Sequence, residues 1–385
     1  MSAVLESVTA LRHRLHRTPE LSGSERDTAR TIAQVLERTN PTRLLTGVGG
    51  HGLIACYDSG RPGPRVMFRA ELDALPISDR SGSPHASERP NISHACGHDG
   101  HSAMLAGLAM RIAAREVRLD RGAIMLLFQP AEETGAGAEA VLRDPAWQEL
   151  APDYAYAVHN LPGAALGTLI WRSDVFAAAS RGLIINFDGV PAHAAHPEDG
   201  TSPAACLGRA LITVDELRAR TAGAEASITP VHCRLGNPGF GTSPADAVIM
   251  ATIRGFNAQA LDLLESELVA RVTDDAGRNG ISVRIDHDEV FPLTMNDPRA
   301  VVPLLDAAEA AGIPTIEAAA PYRWSEDFGH VAARIPSAYC CLGAGERSPV
   351  LHSREYDFPD ALLPVGLSLL ECLAERLCAA SEMEV

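Results

Sequence analysis

No stretch of this 385-residue chain approaches the eighteen or more apolar residues of a membrane-spanning helix. Positive charge is also scarce, with 33 Lys plus Arg against 49 Asp plus Glu, a formal charge of −16. A nucleic-acid binder needs a basic stripe to displace counterions from phosphate, and none is present. Repeats and low-complexity tracts are missing. In the first twenty residues Glu6 and Arg12 interrupt the only apolar stretch, so no secretory leader is expected. The eight cysteines are too dispersed for a disulfide framework, which points to a reducing, cytoplasmic setting. What remains is a globular balance of 46% hydrophobic and 21% charged residues, long enough for two domains.

Periodicity divides the chain. Apolar spacing predicts helices over 3–16, from Ser24 onward, and over 102–114, with short strands at 53–57, 65–69, 123–128 and 154–159. This alternation predicts an α/β fold: a mixed sheet with helices on both faces. From 178 to 291 the pattern changes to four alternating strands and two helices, over 203–219 and 258–276. That combination suggests an α+β unit with a four-stranded antiparallel sheet. After 292 the α/β style resumes, with a helix at 301–311, a strand at 337–342 and a helix at 362–380. The expected organisation is a catalytic domain of residues 1–177 and 292–385, with 178–291 inserted.

The densest chemical signal is His94-Ala95-Cys96-Gly97-His98-Asp99-Gly100-His101. In extended backbone Cys96 and His98 share a side, and thiolate plus imidazole suits zinc and its neighbours. Asp99 could instead cap a helix beginning near His101. Glu132 and Glu133 follow an apolar run stopped by Pro130, at a strand end where open α/β sheets hold ligands. One carboxylate could bind metal while the other acts as general base, although acidic residues also suit a helix N-terminus. His159 and His352 each end an apolar segment. Singly they read as structural residues, and collectively they would share one sheet edge.

The segments Arg69-Ala70-Glu71-Leu72-Asp73-Ala74-Leu75-Pro76-Ile77, HACGHDGH, FQPAEE and HNLP occur in that order. With Ala192-His193-Ala194-Ala195-His196-Pro197, Ser325-Glu326-Asp327-Phe328 and LHSREYDFPD, the chain resembles the amidohydrolase branch of the aminoacylase and carboxypeptidase-G-type metallopeptidase family. Hippurate hydrolases and indoleacetyl-amino-acid hydrolases belong to that branch. The resemblance implies a di-metal hydrolase domain with an inserted lid or dimerisation domain, hence a homodimer or higher homo-oligomer. It implies two divalent ions (zinc, or manganese, cobalt or nickel) on Cys96, His98, Glu133, His159 and His352. Glu132 becomes the general base, and Asp73 a supporting acid, with Glu71 its nearby competitor. His193 would steady the substrate carbonyl oxygen, while the extra His196 reads as structural or substrate-adjacent.

The implied reaction is hydrolysis of the amide bond of an N-acyl amino acid. On residue chemistry, Arg254 is a candidate for the substrate carboxylate, an ordinary strand-face charge being the competing reading. A family asparagine is replaced by Gly241, which bears on specificity. Alternatives are a deacetylase or dipeptidase of the same family, a hydrolase with Cys96 as nucleophile, or a non-catalytic ligand-binding relative.

Overall fold

The computed structural model describes residues 3–221 and 225–380; the outermost ends of the expected catalytic domain lie outside these. Two compact units emerge. The first comprises residues 1–176, 294–321 and 327–385, and the second 177–293 and 322–326. The segment 322–326 thus belongs to the second unit, outside the 178–291 range read from periodicity.

The first unit is built on an eight-stranded mixed sheet. Its strands β1 (Arg43–Val48), β2 (Gly52–Asp58), β3 (Arg65–Glu71), β4 (Ala123–Gln129), β5 (Tyr154–Pro162) and β6 (Leu169–Trp171) are joined by Thr315–Glu317 and Ser337–Gly345. The order is β1-β2-β4-β3-β5, then Ser337–Gly345, β6 and Thr315–Glu317. β3 runs parallel to β4 and β5, and Ser337–Gly345 parallel to β5, so these four C-terminal ends share one edge. Alternate residues such as Val66, Phe68 and Ala70 join a core with Leu11, Ile32, Leu105, Leu108 and Leu370 from the helices. The intervening Met67, Met125 and Leu127 are also fully buried. Burial of both faces is what makes β4 a continuous apolar run rather than an alternating one.

Helices α1 (Ala3–Arg17), α2 (Arg26–Glu37), α3 (His98–Ala113) and α4 (Gly137–Arg143) belong to this unit. Two boundary differences bear on the site. α3 begins at His98, because Gly97 at φ +93° turns the chain directly into the helix. β5 runs three residues past His159, which is therefore inside its strand rather than at the end.

In the second unit the antiparallel order is Ala226–Leu235, Asp246–Gly255, Ala179–Asp188, Ser282–Phe291. Leu183, Ile185, Phe187, Ile249, Ala251 and Ile253 pack against Val214, Leu217, Leu264 and Leu268 of helices Ala204–Arg220 and Ala258–Arg278. Strand Ala226–Leu235 is an edge, exposed from Thr229 through its last residue and hydrogen-bonded on one side only among the described residues.

Candidate metal centre

The shared sheet edge brings the chemistry together. Asp73 follows β3, Glu132 and Glu133 follow β4, His159 lies near the end of β5, and His352 follows Ser337–Gly345. Cys96 and His98 come from the connection entering α3. Their convergence does not use strand alternation: Gly97 occupies the left-handed region, and His98 is the first residue of the helix. Asp99 makes no capping bond. Its carboxylate is instead fully buried against His16 Nδ1 at 2.8 Å and Arg12 Nη1 at 3.2 Å.

Cys96, His98 and His159 form one group with ligand atoms within 4.8 Å of each other; Cys96, Glu133 and His352 form another. Cys96 belongs to both. Its Sγ lies 3.4 Å from His159 Nε2. His98 Nε2 is 3.8 Å from Glu133 Oε1 and 4.0 Å from Glu132 Oε2, and His352 Nε2 is 3.6 Å from Glu133 Oε2. His352 sits at φ +62°, its amide donating to Ala95 O at 2.9 Å, which ties its loop to the Cys96 segment.

The imidazoles are oriented from behind. His98 Nδ1 lies 2.9 Å from Asp73 O and 3.2 Å from Asp73 Oδ1, leaving Nε2 toward the carboxylates. His159 Nδ1 donates to Asn160 O at 2.7 Å, so its Nε2 lone pair faces Cys96. Partners of this kind fix tautomer and ring plane in metal sites. Glu71, the alternative to Asp73, pairs with Arg69 and His101 and also lies within ligand reach of His98, while His101 Nε2 meets Asn160 Oδ1 at 2.5 Å.

Electrostatics identify what the site accommodates. Burial, with Glu133, Glu132 and Glu71 nearby, pushes the Cys96 thiol well above its ordinary pKa. A thiolate at this position, whether nucleophile or metal ligand, therefore needs a cation beside it to form. Burial opposes charge on His98, but Asp73, Glu71 and Glu133 raise its pKa to about 10. His98 Nε2 is nonetheless buried without a hydrogen-bond partner among the described residues. A concentration of acidic groups, a buried thiol and an unpartnered imidazole nitrogen fits divalent cations.

The remaining residues lie in the second unit. His193 is exposed in a two-residue strand, Ala192–His193, paired with Thr242–Ser243 immediately after Gly241. The Ala195 amide donates to His193 Nδ1 at 3.1 Å, placing the ring proton on Nε2. His196 is exposed, 3.6 Å from Glu198. Arg254 is half-buried; its Nη1 donates to Arg323 O at 2.6 Å and Ser325 Oγ at 2.8 Å. It has no carboxylate partner among the described residues, and burial together with Arg323 lowers its pKa. Sequence reasoning gave no role to Glu25, Asn160 or Asp327, whose partners lie far along the chain. Asn160 and Asp327 carried a signal, as parts of the HNLP and Ser325–Phe328 motifs.

The sequence model of peptidase family M20/M25/M40 matches residues 67–376. The N-acetyl-L-cysteine deacetylase of Bacillus subtilis is 30% identical over 348 residues, covering 89% of this chain and 82% of its own. The hippurate hydrolase of Campylobacter jejuni is 29% identical, covering 94% of each chain. Among solved structures, the Bacillus subtilis YXEP protein, a dinuclear metal binding peptidase from the M20 family, superposes with a TM-score of 0.81. That match has 25% sequence identity and covers 97% of this chain and 98% of the other.

Proposed function

Because the chain belongs to peptidase family M20/M25/M40 and is a metal-dependent amidohydrolase, we propose that it releases amino acids from N-acyl amino acids. The observation that carries this reading is the convergence of Cys96, His98, Glu133, His159 and His352 beside Glu132. These five side chains are the proposed ligands of two divalent ions, and zinc, manganese, cobalt and nickel all suit the donor set. When bound, such ions polarise the amide carbonyl and lower the pKa of a coordinated water to about 7.

Glu132 then takes the water's proton and delivers it to the departing amine nitrogen. Its Oε1 accepts a long, 3.4 Å hydrogen bond from the Asp327 amide, which holds the carboxylate. Asp73 supports the centre by orienting His98. His193 presents Nε2–H as a donor for the carbonyl oxygen as charge develops, and Arg254 grips the amino acid's carboxylate with two parallel bonds. The relatives named for hippurate and N-acetyl-L-cysteine favour an acyl amino acid over a longer peptide.

The catalytic domain is taken as 1–177 with 292–385, and the inserted 178–291 as a lid through which copies dimerise. The one-sided edge strand Ala226–Leu235 suits such pairing. Eight free cysteines among the described residues suit a reducing cytoplasm.

The test is release of free amino acid from acetyl, benzoyl and indoleacetyl amino acids by chelated and metal-restored protein. Metal-dependent release is expected. No release with two ions bound per chain would overturn the substrate class. Glu132→Gln should keep both ions and lose turnover by roughly 100–10,000-fold, and full activity would remove Glu132 as base.

A further inference from the structure

The turn that carries Glu132 and Glu133 is tied down by buried carboxylates from three distant segments. The Ala131 amide donates to Glu25 Oε1 at 2.8 Å, the Glu133 amide to Asp73 Oδ2 at 3.0 Å, and the Ala138 amide to Asp327 Oδ2 at 2.8 Å. Asp327 also takes Gln129 Nε2 at 2.8 Å and Arg69 Nη2 at 2.6 Å, closing the segment at its strand end. Within the turn, Gly135 N bonds Glu132 O and Gly137 N bonds Ala131 O.

Glu25 is the least expected of the three. It is fully buried, and its Oε1 also accepts from Gly23 N at 2.8 Å. Its Oε2 has no hydrogen-bond partner among the described residues. The residue it grips, Ala131, sits at φ +51°, a left-handed conformation that a side chain disfavours. Because Ala131 directly precedes Glu132, its backbone sets the direction in which both following carboxylates leave the sheet. Relaxation of Ala131 toward negative φ would rotate Glu132 and Glu133 together. Ser22 Oγ on the same loop bonds Asp73 Oδ2 at 2.7 Å, so one segment supports both ends of the dipeptide.

We propose that Glu25 is a positioning residue which, by holding the Ala131 amide in its left-handed turn, aims Glu132 at the water and Glu133 at the metal. This rests on the roles given above to Glu132 and Glu133. An acceptor oxygen at the position of Oε1 is what the function requires, and a glutamine supplies one in the same place.

Glu25→Ala and Glu25→Gln are compared with the wild type by chelator-competition titration with zinc, by apo-protein melting and by kcat and KM on the best substrate of the panel. Glu25→Ala is expected to bind zinc about 10–100-fold more weakly and to lose at least about 10-fold in kcat, with KM within about twofold. Glu25→Gln should restore zinc affinity and kcat to within about threefold of wild type, whatever its melting temperature. Wild-type zinc affinity and kcat in Glu25→Ala, or equal losses in both variants, would overturn the proposal. Should Glu25→Ala fail to fold, Glu25→Asp, which withdraws the acceptor by one methylene, carries the same expectation and the same overturning result. If Glu132→Gln remains active, the reading of the base has failed. If Glu132→Gln is dead and Glu25→Ala is normal, only the present inference has.

Discussion

At residue scale, the site depends on a glycine that touches no metal. Gly97 adopts φ +93°, and a Cβ there would collide with the side-chain amide of Asn160. Asn160 in turn bonds His101 and Tyr356, so the strain would spread behind the metal centre. Gly97→Ala should destabilise the fold by on the order of 2–4 kcal/mol, combining left-handed strain with overpacking. It should weaken metal binding as well, because Cys96 and His98 flank the turn. Denaturant unfolding of the apo protein and metal titration measure the two effects, and a neutral result in both would remove Gly97 as a constraint. The grouping of Cys96, His98, Glu133, His159 and His352 was legible because each lies in a short, chemically dense segment. The route by which Cys96 and His98 meet was not, since alternation and a left-handed turn leave the same i, i+2 spacing. Glu25 was illegible because its partner lies 106 residues away.

Among elements, α1 shows how a helix read only as amphipathic also carries charge into the core. His16 is fully buried, with Nδ1 2.8 Å from Asp99 and Nε2 3.1 Å from Asp79. Burial opposes its charge, but the two aspartates raise its pKa to about 10. The folded value lies above the unfolded value of about 6.5, so this stabilisation is complete below about 6.5 and is lost as pH rises through about 10. Asp79 and Asp99 are depressed by the same contacts against burial, so their contribution is lost as pH falls below the ordinary carboxylate range. The sequence contains no lysine, so the side chains that titrate in the same alkaline range are its cysteines and tyrosines. The melting temperature of metal-loaded protein should therefore fall between pH 7 and 10. In His16→Ala it should be lower at pH 7 and decline less, converging on wild type at alkaline pH; parallel curves would contradict the assignment. Element boundaries were legible to within a few residues where burial is periodic. β1 was not, because its half-exposed residues give no regular alternation.

For the whole molecule, the change of periodicity at 178 marks a change of architecture, since antiparallel strands covered on one face alternate and strands covered on both do not. Tyr322–Glu326 escaped because five residues carry no period. Ala178 N donates to Tyr322 O at 3.0 Å, and with the Arg254 bonds to Arg323 O and Ser325 Oγ it ties the segment to the second unit. The first unit's sheet is interrupted in the chain but not in space. Its strand Ser337–Gly345 lies between β5 and β6, which precede it by more than 160 residues. During synthesis the second unit, nearly continuous in sequence, emerges entire while the first still lacks that strand. Until residue 345 has left the ribosome, β5 exposes an unpaired edge, and the site-bearing end of the sheet closes only then. The metal centre therefore forms only after the second unit has emerged, because His352 is translated after the strand that completes the sheet.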